Sequence, residues 1–412
     1  MPAYPLAYPL AYPLACAQAQ LTRRRWLAAA LAGSSVAAWA QARQVLQVGP
    51  RRALRSLAAA AQAAGDHCLI EVDAGEYRAD VAYWPQNGLL LRAVGGRVQL
   101  KAEGAHIMGK GIFVTAGQNQ RIEGFDFSGA RVPDGNGAGI RMDRGSLQLR
   151  DCRFHGNQTG LLTNNEADAR LSLEDCEFGP ILPGQRHNHN LYVGRIAELR
   201  VIGCHLHHGH FGHLLKSRAA FTQLLYSRLS DEPEGRASYE LEFPNGGRAW
   251  VMGNLIVQGA QTDNPALLAY GAEGQVWPEN ELILVHNTLI DRRASSGSFL
   301  QLKTQSGPAP VRVRLLNNLF AGPSRMVPAR DWEASANGHA AWDDFVNASE
   351  GDYRLRPGSR WQGRAVDAGL AQAPSGPRLI LRPERQFQAP HHSVALADDA
   401  GRSLSPGAFP LD

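Results

Sequence analysis

Lysine is nearly missing from this 412-residue chain: only Lys101, Lys110, Lys216 and Lys303 occur, and the other basic residues are arginine. Cysteine is sparse too, with five residues and no close pair. That excludes a zinc ribbon or finger, whose thiolates come in short-spaced pairs. Charge of one sign is not in excess. The 42 basic and 38 acidic residues give a net charge of +4, which argues against a general electrostatic attraction to nucleic acid. No apolar run is long enough for a comfortable membrane span. Helical periodicity is weak over most of the chain, which excludes a helical bundle as its organising principle.

What is present is a short motif that returns nine times: apolar–x–x–small–x–apolar. Later copies read LRDCRF, LEDCEF, VIGCHL, VMGNLI, LVHNTL and LLNNLF. The fourth positions are Val94, Phe125, Cys152, Cys176, Cys204, Ser227, Asn254, Asn287 and Asn318. Their spacings run from 23 to 33 residues and average 28. Repetition at that period signals stacked units rather than a mixed globular core. A second short strand recurs between the motifs: GIRMD at 139–143, GLLTN at 160–164, NLYVG at 190–194, HLLKS at 213–217, ELEFP at 240–244, ALLAY at 266–270 and FLQLK at 299–303. Strands with bends between them, stacked about 4.8 Å apart, predict an all-β fold, a right-handed parallel β-helix. Matching positions then form columns. Asn254, Asn287 and Asn318 are expected to hydrogen-bond along the axis, as in amide ladders. The cysteines above them read as small buried hydrophobes.

The ends divide the chain further. Residues 1–21 are a low-complexity extension with AYPL three times over. Residues 22–42 carry Arg23-Arg24 ahead of an Ala/Leu run and small-residue cleavage sites, the pattern of a twin-arginine (Tat) export signal. Removing residues 1–42 takes away three arginines and no acid, leaving a net charge near +1. Residues 43–325 are expected to form the β-helix with an N-terminal helical cap over 50–66, and residues 326–412, rich in Pro, Gly and Trp, a loop-rich C-terminal cap.

A helix leading into LIEVDAGEYRAD (69–80) resembles the opening of secreted right-handed β-helix proteins of the pectate-lyase-like superfamily. GDYRLRPGSRWQGRAVDAG (351–369) is similar to the closing segment of bacterial members, and SPGAFP (405–410) looks like their last strand. The resemblance spans roughly residues 44–412. It implies the fold, whereas the superfamily holds lyases, hydrolases, epimerases and non-catalytic binders.

Histidine is concentrated: seven of fourteen lie between residues 187 and 213. Aligning Cys204 with Ser227 and Ser227 with Asn254 places Leu191, Leu214 and Leu241 in an inward column. Asn190, His213 and Glu240 would then share an outward column, and Tyr192, Leu215 and Glu242 the next, with Lys216 and Arg218 at the strand end. This patch suits acid/base work beside a sugar carboxylate. His213 or Lys216 is the candidate base, Arg218 the cation, and Asn190, Glu240 and Glu242 a candidate metal set. His189, Tyr192, Arg248, Tyr270 and Trp277 are candidate substrate contacts. Asp143, Asn164 and Glu166 would extend the groove. Plainer readings stand beside these: His187, His189, His205, His207 and His208 as turn or surface residues, Glu240 and Glu242 as a solvated face, and Lys216 as a partner of Glu242.

The HLLKS rung is similar to the lysine-bearing rung of chondroitinase-B and alginate-lyase type polysaccharide lyases. That likeness implies a Lys base at Lys216 and an arginine acting beside Ca2+, for which Arg218 and Arg248 are the available guanidiniums. The expectation is an exported, periplasmic or secreted monomer acting on an acidic uronate polysaccharide by β-elimination. It has no nucleic-acid partner and no membrane insertion after signal cleavage. A non-catalytic glycan-binding or envelope-structural protein and a uronate epimerase are the alternatives.

Overall fold

The computed structural model describes residues 44–183, 188–262, 264–303, 310–374, 378–397 and 403–410. The twin-arginine segment and His187 lie outside the described residues. The chain is a right-handed parallel β-helix, and its strands form three ladders. One ladder is an unbroken nine-stranded sheet in simple chain order, from Ala82–Trp84 through Leu191–Val193, Leu215–Ser217 and Leu241–Phe243 to Ser298–Leu302. The other two diverge from the long strands Cys68–Arg78 and Leu90–Lys101. Beyond that point each rung bends between the two ladders at a tight corner.

The repeating motif is that corner. Its third residue is left-handed from the second copy onward, and again in the rung that follows the last copy: Gly124, Asp151, Asp175, Gly203, Tyr226, Gly253, His286, Asn317 and Ala336 have φ between +49° and +80°. Most of these are not glycine, although an L-residue pays about 1–2 kcal/mol in that conformation. The residue that follows points inward and forms the column. Asn254, Asn287 and Asn318 are fully buried and run as an amide ladder: Asn254 Nδ2 donates to Asn287 Oδ1 and Asn287 Nδ2 to Asn318 Oδ1, each at 3.0 Å. Asn337 continues it by one rung. Above, Ser227 Oγ accepts from Cys204 N and Cys204 Sγ from Cys176 N, so the column changes chemistry but not position. The four described cysteines, Cys68, Cys152, Cys176 and Cys204, are buried and free. Alongside, Phe127, Phe154 and Phe178 stack with centroids 5.0 and 4.5 Å apart.

Several boundaries differ from expectation. Val94 is not in the column: it is 39% exposed, and Val98 pairs with Phe125 instead. The register with the preceding strand breaks between Asp73 and Gly75, opposite Gly95-Gly96, so the first corner absorbs extra residues. The N-terminal helix covers only Leu57–Ala63. Arg52 is drawn to Asp73, and a bridge ties Val48 to Leu54, which holds the preceding residues in a turn. The helix starts where Ser56 Oγ accepts from Ala59 N and the Asp80 carboxylate accepts from Leu57 N and Ala58 N. The stack runs one rung past residue 325, to Glu333–Ser335 and Gly338–His339. The C-terminal region carries three antiparallel hairpins rather than loops alone. SPGAFP is not a strand; Gly407 N reaches Asn317 O and Ala408 N reaches Thr288 Oγ1, so it plugs the side of the stack.

The ladder predicts a specific cost. Asn287→Ala removes bonds from Asn254 N, from Asn254 Nδ2 and to Val251 O, besides the one to Asn318. Each buried group left unpaired costs about 1–3 kcal/mol, so the expected loss is about 3 kcal/mol in a urea unfolding series. A loss under about 1 kcal/mol would show that the ladder is not a main support.

Candidate functional site

The outer face of the nine-stranded sheet is built from one column. Arg141, Leu162, Tyr192, Lys216, Glu242, Ala269 and Gln301 occupy successive rungs in register. Tyr192 therefore pairs with Lys216, and Lys216 with Glu242. The alignment from the corners is off by one residue here: Leu191 pairs with Leu215, not Leu214. The spacing on this sheet is 24 residues and then 26, whereas the corners are 23 and then 27 residues apart. The loop around residues 207–213 takes up the difference.

Two predicted residues lie inside for a separate reason, since their own rungs keep the expected register. Asn190 and Glu240 precede their strands at the corner entering the sheet, where outward alternation has not begun, and both are fully buried. Asn190 Nδ2 donates to Phe178 O and His207 O. Neither Glu240 oxygen has a hydrogen-bond partner. Burial, with Asp231 and Asp291 adding to it and Arg293 opposing it, holds its carboxyl well above the usual range. Asn190, Glu240 and Glu242 thus face different sides of the wall and do not fit a calcium cage, which needs oxygens converging on one point.

Glu242 is on the outside, at the centre of a charged network. Its Oε2 lies 2.9 Å from both His213 Nε2 and Lys216 Nζ. Burial alone would raise its carboxyl, but the His213 hydrogen bond and the Lys216 charge outweigh that and hold it below its ordinary value. Burial, reinforced by Lys216, lowers His213 despite Glu242, so the ring is neutral. Its Nδ1 accepts from Tyr239 N at 3.3 Å, which assigns the proton to Nε2, 2.9 Å from Glu242 Oε2. His213 as arranged therefore orients Glu242 and has no free lone pair. Its neighbour His189 accepts from His213 N and packs edge-on against Tyr192.

A further participant comes from a loop. The chain leaves the Ala266–Tyr270 strand through Gly271, whose φ of +76° and approach to Lys303 O exclude a side chain. The loop then folds across the patch, bonding to Pro244 O and Asn245 O. Glu273 on this loop is half exposed. Its carboxylate takes two hydrogen bonds of 2.6 Å from Arg218 Nη2 and lies 3.0 Å from Lys216 Nζ. Burial would raise Glu273, but Arg218 and Lys216 bring it below its ordinary value. Arg218 is held in turn by the Tyr192 hydroxyl at 2.6 Å, and Trp277 Nε1 donates to Arg218 O. Sequence reasoning missed Glu273; its one signal is the 33-residue interval from 254 to 287, the longest in the array.

Lys216, His213, Arg218, Tyr192, His189 and Glu242 are thus together, with Trp277 at the edge. Tyr270 is not a surface aromatic: it is fully buried, and its hydroxyl donates to Gly247 O. Arg248 belongs to the other sheet, beside Glu279 and Glu281 and over Trp250. On lower rungs, Lys110, Asp143 and Asn164 continue a polar stripe, with Lys110 Nζ 2.7 Å from Asp143 and Asn164 Nδ2 donating to it at 3.1 Å.

No protein-family model matches the chain, and no curated protein matches it in sequence. Among solved structures, the pectate lyase Pel9A matches over 90% of this chain and 97% of its own, with a TM-score of 0.60 at 13% identity. The chain is similar in fold to a pectate lyase. A variant of the PL6 family alginate lyase AlyGC matches over 71% of this chain and 51% of its own, with a TM-score of 0.31 at 11% identity. A pectin methylesterase from Aspergillus niger matches over 56% and 88%, with a TM-score of 0.26 at 12% identity. The last two likenesses are too loose to carry an argument. This parallel β-helix has no helix, among its described residues, long and apolar enough to cross a membrane.

Glu240 gives a pH prediction. Its folded-state value lies above the ordinary 4.5, so the native state holds a proton that the unfolded chain releases. Stability is then lost as pH rises above the unfolded value, by up to about 1.4 kcal/mol per pH unit until the folded value is reached. Glu240→Gln removes that loss. The variant's advantage over the parent in urea unfolding is expected to widen from pH 4 upward; a gap independent of pH would contradict the assignment.

Proposed function

We propose that this protein is an exported enzyme that acts on a uronate polysaccharide by β-elimination. The observation that carries the reading is the seat occupied by Glu273. Lys216 and Arg218 project from the outer face of a flat parallel sheet and already bind a carboxylate, with the Tyr192 phenol fixing the guanidinium. A uronate carboxylate has the same charge and planar shape. It would displace Glu273, which is carried on a loop and is the most exposed member of the network.

The chemistry follows from that placement. Pairing the substrate carboxylate with Arg218 disperses the charge that develops when the C5 proton leaves. Lys216 Nζ is the group placed to take that proton, after its ammonium, which Glu242 and Glu273 hold in the free protein, has released a proton to solvent. The C4–O4 bond then breaks, a C4=C5 double bond forms, and the leaving oxygen takes the proton of the Tyr192 hydroxyl, which the Lys216 ammonium restores by way of solvent. No water is added. His213 and Glu242 position Lys216 from beneath, since His213 has both ring nitrogens engaged. No step is assigned to a metal, because the three residues expected to hold calcium do not converge. Trp277 lies at the rim, where a sugar ring could stack.

The test is absorbance at the unsaturated-uronate band on a panel of pectate, alginate and glycosaminoglycan substrates, with and without calcium. Lys216→Gln is expected to lose about 10²–10⁴-fold in rate, and Arg218→Gln a comparable amount in kcat/KM. Glu273→Gln should instead lower KM, by roughly tenfold if about 1.4 kcal/mol of competition is relieved. Full activity in the Lys216 and Arg218 variants would sink this site. A polysaccharide that is bound but never altered would leave the glycan-binding reading, and altered C5 stereochemistry without cleavage would identify an epimerase.

Export belongs to the same reading. With Arg23 and Arg24 both replaced by Lys, uncleaved protein is expected to remain inside the cell. Unchanged export in that variant would exclude the twin-arginine route.

A further inference from the structure

A second cluster lies on a different sheet and has no part in the reaction above. Glu177 and His205 are paired neighbours on the ladder Arg153, Glu177, His205, Arg228, and His207 follows His205 by two residues, so all three project from one face. One ligand atom from each of Glu177, His205 and His207 lies within 4.8 Å of the other two. His207 Nε2 is 3.2 Å from Glu177 Oε1, and its Nδ1 is 2.6 Å from His208 Nδ1. His205 Nε2 is buried without a hydrogen-bond partner, 3.6 Å from Glu232. His391, 5% exposed and carried by the turn between Arg385–Gln388 and His392–Ala395, brings Nδ1 to 3.4 Å from the second oxygen of Glu177, and that nitrogen too makes no hydrogen bond.

We infer that Glu177, His205 and His207 form a zinc site that fastens the C-terminal hairpin to the β-helix. Two imidazoles and one carboxylate favour zinc over calcium or magnesium, which prefer oxygen. Tetrahedral ligands at ~2.0–2.1 Å from zinc lie ~3.3 Å apart, so each group moves inward by less than ~1 Å. His207 binds through Nε2 while its Nδ1–H donates to His208, the outer hydrogen bond that ligating histidines usually make. His391 supplies the fourth ligand or holds the free Glu177 oxygen. In either role it draws the hairpin down, where Phe387 already packs against His205 and Ser393 N bonds to Asp175. The Lys216 patch belongs to the nine-stranded sheet and this cluster to the other ladders, so the site is structural and separate from catalysis.

The experiment uses the mature chain without a histidine tag, stripped with chelator and dialysed. Zn2+ titration is expected to reach one equivalent and to raise Tm, and Co2+ should give the intense visible bands of a four-coordinate N/O site. His205→Gln, His207→Gln and Glu177→Gln should each lose the Co2+ bands and the Tm rise. His155→Ala, at the exposed end of the strand Arg153–His155, should keep both. Zn2+ should also protect the parent hairpin from proteolysis, and His391→Ala should remove that protection even where a ligand variant folds poorly. Absence of stoichiometric metal in the parent, or Co2+ bands that survive in both histidine variants, would overturn the site. Neither outcome depends on polysaccharide cleavage.

Discussion

Everything in this molecule hangs on the corner between the two diverging ladders. A corner takes backbone N–H and C=O groups out of strand pairing and buries them, and a buried unpaired group is costly. The column supplies the missing partners from the next rung. Asn318 Nδ2 donates to Leu284 O and Asn287 Nδ2 to Val251 O, while each Asn Oδ1 accepts from the rung before. The left-handed residue that precedes each column member is strained in isolation and repeats because the side chain behind it needs that turn to point inward. Cysteine and serine can stand in this column for the same reason: each offers an acceptor, weak in Sγ and stronger in Oγ, to the N–H above it.

Rigid corners also decide what the opposite sheet can do. With the corners locked, the nine-stranded sheet inherits a fixed spacing but not a fixed loop length, and variation is pushed into the connections. Two of these shape the charged patch. The segment around residues 207–213 sets which residue of the following rung faces out, and the loop after Tyr270 carries Glu273 over Lys216 and Arg218. The charged patch is therefore a product of loop insertions on a constant geometry of rungs, with the stack providing flat backing that holds Tyr192, Lys216 and Glu242 in a row.

That division accounts for what could be read from the sequence. The column was legible because side chains at a period of about 28 residues repeat in kind, and asparagine at the same place in three successive rungs is the mark of a stacked amide ladder. Val94 was misread because Gly95-Gly96 adds residues at a place where no periodic signal exists. Lys216, His213, Arg218 and Tyr192 were found together because a one-residue error moves a whole strand without scattering its members. Asn190 and Glu240 lie on the other side of the wall for a separate reason: each precedes its strand by one residue, where strand alternation does not yet hold. Tyr270 was mistaken for a surface aromatic for a related reason: it ends its strand at an inward position, paired with Phe243 and Leu302. Glu273 and His391 join their clusters across long sequence separations, through connections whose path no periodicity constrains.

The placement of acids separates two kinds of carboxylate in this protein. Glu242, Glu273 and Glu177 sit among cations or imidazoles and stay ionised, Glu177 at about 2, because His207 bonds to it and outweighs burial. Glu240 and Asp231 lie inside the coil, where burial dominates; Asp231 is pushed up to about 7 although Gly209 N and Ala237 N both donate to it. Ionised groups on the outer face can exchange partners with an incoming anion or a metal at little structural cost. Buried neutral groups cannot, and they make the middle of the stack sensitive to rising pH. The carboxylates open to such exchange therefore lie on the outer faces and the loops that cross them, while burial ties Glu240 and Asp231 to the stability of the coil.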